Sequence, residues 1–315
     1  MGTGAPEPQS NGEGSSARGP RPEGFLPPPP SLARDLVGLT KPRIISLLLL
    51  TTVMPMFVAG RPDWRLVLIV LVGGYLMAGG ANAINMYFDR DIDDLMARTK
   101  RRALPSGRMS PLAVLAFGVA LATAATYLLA RFANVLTAVL ALGGFYFYVF
   151  VYTRWLKRST PQNIVIGGAA GAFPPLVGWA AVTGRIGVAA LYLFAIVFYW
   201  TPPHFWALAI LKQHEYGRAG VPMAPLVWGE RATMSEMVWY AVVLLPLTLL
   251  PVALGVLGWW YFAVALVSGA VFLGRLLHLM RSENPAGEAW RIYRFSLLYL
   301  AVLFVAMAVD SALLR

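Results

Sequence analysis

The sequence predicts an all-α membrane protein, with about nine transmembrane helices around a central cavity that opens near the cytoplasmic face. Hydrophobic residues make up 58% of the 315 residues, charged residues make up 13%, and the mean hydropathy is +0.62. Soluble domains are more polar than this. Apolar stretches long enough to cross a hydrocarbon core of about 30 Å recur along the chain. The predicted spans are 43–60, 65–86, 111–130, 135–152, 163–182, 187–211, 235–256, 258–280 and 292–312.

The distribution of basic residues predicts the orientation of these helices. If the N-terminus is cytoplasmic and the loops alternate sides, all but five of the 26 Lys and Arg residues lie on the cytoplasmic side. This bias is the positive-inside pattern. The net charge of +11 therefore indicates membrane topology, in the cell (inner) membrane, and not nucleic-acid binding. The five exceptions are Arg61, Arg65, Arg131, Arg185 and Arg315.

The composition also predicts two regions of different character. Residues 1–31 are rich in Gly, Pro, Ser and Glu, which predicts a disordered tail. Residues 32–315 are expected to form one transmembrane domain. The chain has no cysteine, which excludes disulfides, thiolate metal sites and cysteine nucleophiles.

A row of polar side chains follows the second apolar stretch. At about 100° per helical residue, Asn82, Asn85, Asp89 and Asp93 fall within an arc of roughly 80°, and Asp91 points to the far side. Ionisable groups at membrane depth need a partner to offset their desolvation. Carboxylate and amide oxygens are ligands that Mg²⁺ prefers, so the row predicts a divalent cation site that holds an anion. The alternative is a solvated acidic helix end.

Basic residues close to this row are suited to the remaining charge of a diphosphate. Arg98 and Arg102 follow the acidic row, and Tyr152 and Lys157 lie in the segment expected between helices four and five. Arg and Lys neutralise phosphate groups through charge-assisted hydrogen bonds. The alternatives are anchoring to anionic lipids and an ordinary helix end with snorkelling cations.

The sixth apolar stretch contains a second polar segment. Pro202–Pro203 should break or kink this helix within the membrane. His204 and Glu215 are eleven residues apart, about 20° in helical projection, so both can face one cavity. Tyr216 and Arg218 follow directly. The alternative for His204 is a neutral core histidine bonded to a carbonyl.

These residues carry a resemblance. Asn85-x-x-x-Asp89-x-x-x-Asp93 resembles the first aspartate motif of the UbiA-type intramembrane prenyltransferases, and Tyr152 with Lys157-Arg158 resembles their interhelical segment. The resemblance covers about residues 38 to 310. Longer strings resemble the protohaem IX farnesyltransferase (haem O synthase) branch of that superfamily. They are Leu39–Arg43, Asn85–Asp93, Lys157–Pro175, Pro203–Leu208 and Ala219–Met223.

Two positions depart from the family pattern. The family usually has an acidic pair, or Lys-Asp-Tyr, where this chain has His214-Glu215-Tyr216, so only Glu215 remains as the acid of the second motif. This puts tight binding of a second metal in doubt. In the basic loop, Ala103 replaces the first proline of the family's Arg-Pro-Leu-Pro string, which is expected to change loop stiffness and not the chemistry.

The resemblance implies transfer of a farnesyl group from farnesyl diphosphate to a vinyl group of haem b, with water addition, giving haem O. It implies Mg²⁺ as cofactor, the lipid bilayer as surroundings, and a haem A synthase as the downstream enzyme. The implied metal ligands are Asn85, Asp89, Asp93 and Glu215, and these four with Tyr216 form the implied catalytic set. The implied diphosphate contacts are Lys41, Arg98, Arg102, Tyr152, Lys157 and Arg218. His204 is the candidate for contacting haem iron or a propionate.

Three other functions remain open from the sequence. The same chemistry could act on another acceptor, such as an aromatic quinone precursor or a chlorin. A multi-pass transporter would also have a kinked substrate helix and intramembrane carboxylates, although ion-coupled transporters place such charges near the midplane. A non-enzymatic assembly factor for a respiratory oxidase is the third.

Overall fold

The computed structural model describes residues 1–2, 31–97 and 99–314, and these residues form helices joined by short loops, without a strand. Nine of the helices are long and apolar enough to cross a membrane. This confirms the predicted all-α polytopic fold. The predicted disordered tail falls almost entirely on residues 3–30, outside the described residues. The nine helices are α1 Pro42–Ala59, α2 Trp64–Phe88, α3 Pro111–Phe132, α4 Val135–Ser159, α5 Asn163–Thr183, α6 Val188–Arg218, α7 Glu230–Ala253, α8 Trp259–Leu279 and α9 Pro285–Leu313.

Several helices extend further than predicted. The fourth helix was predicted to end at 152 and the sixth at 211, but they continue to Ser159 and Arg218. The seventh and ninth begin at Glu230 and Pro285, ahead of the predicted 235 and 292. Hydropathy marks the apolar part of a helix, whereas backbone hydrogen bonding continues into the charged residues at the headgroup level. Residues expected in loops therefore lie on the last turns of membrane helices.

Helix α6 does not break at Pro202–Pro203, so of the predicted break or kink the break is wrong. Helix α6 is continuous over its 31 residues and contains both prolines. A proline removes one backbone hydrogen bond, but neighbouring helices can hold such a helix together within a membrane protein. Helix α6 packs against α5, α7 and α9, and the side chains around the two prolines are buried.

The nine helices form a closed ring. Each helix contacts the next in sequence, α9 contacts α1, and further contacts join α1 to α5 and α6 to α9 across the ring. The loops after α2, α4, α6 and α8 lie at one end of this bundle, which we call the charged end. Asn163, at the start of α5, donates to the carbonyl of Pro222 in the loop after α6 (3.4 Å), which joins two of these loops.

Helices α1 and α5 meet at a glycine. A Cβ atom added at Gly178 of α5 would overlap the backbone carbonyl oxygen of Thr52 on α1. A Cβ added at Gly171, two turns earlier on the same helix, would meet nothing within 4 Å. The contact at Gly178 therefore requires the absence of a side chain.

Gly178→Ala is expected to destabilise the fold by about 1 to 3 kcal/mol, because overpacking against backbone forces the two helices apart. Gly171→Ala is the matched control and should be neutral. The measurement is the fraction of monodisperse protein in detergent after heating, followed by size-exclusion chromatography. Equal stability of the two variants would contradict the α1–α5 contact.

Candidate functional site

The predicted polar row lies at the charged end of α2 and is buried. Helix α2 ends at Phe88, Asp89 caps it, and a short helix, Arg90–Leu95, follows. The amide of Asp93 donates to the carbonyl of Asp89 (2.8 Å), so the helical register continues across this junction. Asn85 Nδ2 donates to Asp89 Oδ2 at 2.8 Å. Asn82, predicted in the same row, instead donates to the carbonyl of Thr40 at 2.9 Å.

Each carboxylate of the row meets a cation from another segment. Lys157 Nζ, on the last turn of α4, lies 2.5 Å from Asp89 Oδ2. Arg102 Nη1, in the loop after α2, lies 2.7 Å from Asp93 Oδ2. The structure thus brings together two predicted acids and two predicted diphosphate contacts that are 68 and 9 residues apart in sequence.

Lys41 approaches the row from the junction between the short helix Leu32–Thr40 and α1. It has φ 56° and ψ 60°, the left-handed conformation that costs a non-glycine residue about 1 kcal/mol. Its Nζ donates to Asn85 Oδ1 at 3.0 Å. Burial, and then the positive charge of Arg102, lower the pKa of Lys41 to about 7. A nearby anion would favour the charged form of this amine.

A π-helical segment within α4, Phe147–Leu156, was not predicted. π-Helical turns are rare and frequently lie at functional sites. Here Thr153 Oγ1 donates to the carbonyl of Tyr148 (2.8 Å) and accepts from Asn85 Nδ2 (3.1 Å). Thr153 is therefore a site residue that sequence reasoning missed. The available signal was a threonine four residues before Lys157 in an aromatic stretch.

Asp91 lies outside the buried row, as its helical angle predicted. Its side chain is 61% exposed, compared with 3% for Asp89. Arg158 binds Asp91 with two hydrogen bonds of 2.6 and 2.7 Å and also donates to the carbonyl of Phe88 (2.8 Å). The hydrogen bonds from Arg158 lower the pKa of Asp91 to about 2. Asp91 thus ties the junction after α2 to the end of α4.

The second acidic segment lies at the end of α6. Glu215 Oε1 accepts from Lys212 at 2.9 Å, and its buried Oε2 has no hydrogen-bond partner among the described residues. Tyr216 follows Glu215 on α6, and Tyr152 lies on α4. Both tyrosines pack on the same apolar cluster. These contacts join the two halves of the predicted site.

Arg218, a predicted diphosphate contact, is not part of this arrangement. Arg218 is exposed at the end of α6, and its side chain contacts no carboxylate of the row within residues 31–97 and 99–314. Arg98 lies outside the described residues. Its predicted role is therefore not tested.

His204 is buried in α6, and its ring is stacked between Trp200 and Tyr293, at centroid distances of 4.3 and 4.8 Å. Its Nδ1 is hydrogen-bonded to Ser296 Oγ at 2.7 Å, and Ser296 Oγ donates to the carbonyl of Tyr293 (2.8 Å). Because the hydroxyl has one proton, Nδ1 must be the donor to it. Neutral His204 therefore keeps its lone pair on Nε2. The partner is a hydroxyl and not the carbonyl expected for a core histidine.

The side chains of the row have the chemistry of a magnesium site. Asp89 Oδ1 is buried without a hydrogen-bond partner in the part of the chain that is described, and Arg158 Nη2 lies 3.8 Å from it. Mg²⁺ uses one or two carboxylates and completes its shell with phosphate and water oxygens. The described residues contain no cluster of three or more Asp, Glu or His side chains that could hold a metal ion. Glu215 therefore does not form one ligand set with Asp89 and Asp93.

The fold and the site define the class of this protein. Residues 47–308 match the UbiA prenyltransferase family, and the chain belongs to that family. It is similar to a solved UbiA homolog from Archaeoglobus fulgidus bound to DMAPP and Mg²⁺, with 16% identity, a TM-score of 0.62, and coverage of 87% of this chain and 99% of that one. This likeness concerns the fold.

Two curated relatives are more similar in sequence. One is the protoheme IX farnesyltransferase of Roseiflexus sp. (strain RS-1), 56% identical over 89% of this chain and 53% of the relative. The other is the protoheme IX farnesyltransferase of Symbiobacterium thermophilum, 51% identical over 89% of this chain and 94% of the relative. The chain thus spans about half the length of the first relative and nearly all of the second.

Proposed function

We propose that this protein transfers the farnesyl group of farnesyl diphosphate to a vinyl group of haem b, with addition of water, giving haem O and diphosphate. The observation that carries the proposal is the buried row of Asn85, Asp89 and Asp93, met by cations from three other segments. The names of the curated relatives support the choice of haem b as acceptor.

The charges of the site fit a diphosphate. Two carboxylates, Asp89 and Asp93, face three basic side chains, Lys41, Arg102 and Lys157. The basic side chains outnumber the carboxylates, so an additional anion lowers the repulsion among the positive charges. The same cations can bind phosphate oxygens when a divalent cation takes the carboxylates.

Asn85, Asp89 and Asp93 would hold Mg²⁺, and Glu215, which lies outside that ligand set, would serve a second metal ion from the opposite half of the site. When bound, Mg²⁺ stabilises negative charge on phosphate oxygens as a Lewis acid. The UbiA homolog from Archaeoglobus fulgidus was solved with both Mg²⁺ and a prenyl diphosphate, which supports this ligand choice.

The chain's own residues act on the leaving group. As the bond between farnesyl C1 and the bridging oxygen breaks, Lys157, Arg102 and Lys41 stabilise the charge that builds on the diphosphate. The electron-rich vinyl carbon of haem b then forms the new carbon–carbon bond with farnesyl C1. Water adds to the resulting cation and loses one proton, which leaves a hydroxyl group. The apolar helices around the site exclude stray water from the farnesyl cation.

The remaining predicted residues take supporting roles in this proposal. Glu215 and Tyr216 orient the added water or a second metal ion, and Tyr152 contacts the diphosphate beside Lys157. His204 contacts haem, and its lone pair on Nε2 is the group that would reach iron. Arg98 and Arg218 remain predicted diphosphate contacts.

The topology completes the proposal. The positive-inside bias places the N-terminus and the charged end on the cytoplasmic side of the cell membrane. Both substrates partition into the lipid bilayer through their apolar parts, so they reach the site from the membrane. A haem A synthase would consume the product.

The decisive experiment offers purified protein two acceptors. Detergent-solubilised protein with Mg²⁺ and farnesyl diphosphate is incubated with haem b or with 4-hydroxybenzoate, and the products are separated by mass. Haem b should gain one farnesyl group and one hydroxyl group, and 4-hydroxybenzoate should not change. Prenylation of 4-hydroxybenzoate in place of haem b would overturn the choice of acceptor but would still support prenyltransferase activity.

Arg158 and Asp91 are expected to act as a pair that positions the row. Arg158→Lys should lower turnover about tenfold, because one ammonium cannot reproduce two parallel hydrogen bonds and the bond to Phe88. Asp91→Asn should have a similar effect, and the double variant should be no worse than either single one. Additive losses would show that the two residues act separately.

A further inference from the structure

A second cavity lies at the charged end, away from the diphosphate site. It measures about 320 Å³ and is bounded by the segment before α5, by α6 and by the first turns of α7. None of its residues contacts Asn85, Asp89 or Asp93. Its lining residues are Gln162, Trp206, Trp228, Ala232, Glu236 and Tyr240.

Three aromatic rings make up most of the wall. Trp206 is almost completely buried, and the rings of Trp228 and Tyr240 stand at 77° and 80° to it, at centroid distances of 5.7 and 5.6 Å. Both rings therefore stand edge-to-face with Trp206 and do not stack on it, and we call the three rings the aromatic box. Trp228 and Tyr240 are half-buried, so the box is accessible from outside.

A carboxylate lies at the mouth of this box. Glu236 is exposed, lines the cavity, and precedes Tyr240 by one helical turn on α7. No ion pair of Glu236 is present among residues 31–97 and 99–314. Aromatic faces with an adjacent carboxylate attract an organic ammonium ion, through the ring quadrupoles and the negative charge.

Trp206 supplies a second, independent feature. Its Nε1–H is buried and has no hydrogen-bond partner within the described parts of the chain. A buried donor without a partner is costly, and a ligand that brings an acceptor removes this cost. A ligand with both an ammonium group and an oxygen acceptor would satisfy the box and the indole together.

The position of the cavity identifies the source of such a ligand. Glu236 lies six residues after the start of α7, roughly 9 Å along the helix axis, and Tyr240 lies roughly 6 Å further on. The predicted apolar span of this helix begins at residue 235, so Glu236 and Tyr240 lie where the headgroup layer meets the hydrocarbon core. Phospholipids with an amine headgroup carry an ammonium group next to phosphate and ester oxygens.

We propose that the cavity of Trp206, Trp228, Glu236 and Tyr240 binds the ammonium headgroup of a zwitterionic phospholipid. The ammonium group lies against the rings and Glu236, and a phosphate or ester oxygen accepts from Trp206 Nε1. This site is separate from the proposed transferase site and does not depend on its assignment.

The test is native mass spectrometry of the detergent-solubilised protein with defined lipids. Dioleoyl phosphatidylethanolamine and dioleoyl phosphatidylcholine should bind at least about fivefold more tightly than dioleoyl phosphatidylglycerol, which lacks the ammonium group. Soluble glycerophosphoethanolamine separates a lipid site from a site for a free amine. Weak binding of this soluble headgroup supports the lipid, and tight binding without acyl chains would overturn it.

Variants locate the binding. Glu236→Gln and Trp228→Leu should each reduce phosphatidylethanolamine binding about fivefold and leave phosphatidylglycerol unchanged. Glu283→Gln, an exposed acid in the loop after α8, and Trp239→Leu, an exposed ring on α7 outside the cavity, are the matched controls. Equal binding of the two lipid classes, or equal losses in the controls, would overturn the proposal. Glu236 is exposed, so its variant tests the site without disturbing the core.

Discussion

Asp89→Asn is expected to reduce farnesyl transfer by about a hundredfold to a thousandfold while the protein stays folded. Asp89 is the only acid of the row that combines a contact to a basic side chain with a buried oxygen that has no hydrogen-bond partner in the described residues. An amide keeps the shape and one acceptor oxygen for Lys157 and Asn85. It removes the negative charge that a divalent cation requires.

The experiment measures turnover with saturating farnesyl diphosphate and haem b over a series of Mg²⁺ concentrations. Loss of metal affinity predicts partial recovery at high Mg²⁺. Asp94→Asn is the matched control, since Asp94 belongs to the same short helix and is exposed. Turnover of Asp89→Asn within twofold of the original protein would remove Asp89 from the metal site. A loss of both turnover and thermal stability would instead indicate a structural role.

The membrane fold could be predicted because its physical cause is visible in the sequence. Every span must bury its backbone hydrogen bonds in hydrocarbon, so helix length and apolar composition reveal it. Helical periodicity placed Asn85, Asp89 and Asp93 on one face. The prediction holds because the backbone hydrogen bonds keep the helical register through Asp89. Local periodicity was sufficient for both predictions.

Local periodicity could not predict which side chains from other segments contact Asn85, Asp89 and Asp93. Lys157 and Arg102 were predicted to be near the acids, but nothing in the sequence indicated which acid each would meet. The π-helical segment changes the register of α4 and brings Thr153 to Asn85, and no common sequence signal marks such a segment. Lys41 was predicted as a diphosphate contact, but its left-handed backbone and its hydrogen bond to Asn85 were not predicted.

The continuous helix at Pro202–Pro203 shows a different limit. The expectation that proline breaks a helix rests on the loss of one backbone hydrogen bond and on a clash with the preceding turn. Buried neighbours on α5, α7 and α9 surround this part of α6, and tertiary packing overrides the local preference. The helix ends were mispredicted for a related reason, since charged residues on the last turns reduce hydropathy without ending the helix.

Lys157→Gln is the second variant for which a large effect is expected, a loss of about a hundredfold in kcat with a smaller change in KM. Lys157 is the cation closest to Asp89, at 2.5 Å, and lies at the end of α4, where the diphosphate charge would build as the bond to farnesyl breaks. Gln is one atom shorter than Lys and keeps a donor, but it has no charge. Lys157→Arg should recover part of the lost kcat.

A structural role for Lys157 predicts a different pattern. If its only function is to neutralise Asp89, Lys157→Gln leaves a buried carboxylate without its cation and destabilises the fold. The double variant Asp89→Asn, Lys157→Gln would then recover the stability. Lys100→Gln, an exposed lysine in the loop after α2, controls for the loss of one positive charge at this end of the protein. A catalytic Lys157 requires that kcat falls in the single variant at unchanged thermal stability, because only the transition state contains the additional charge on the leaving diphosphate.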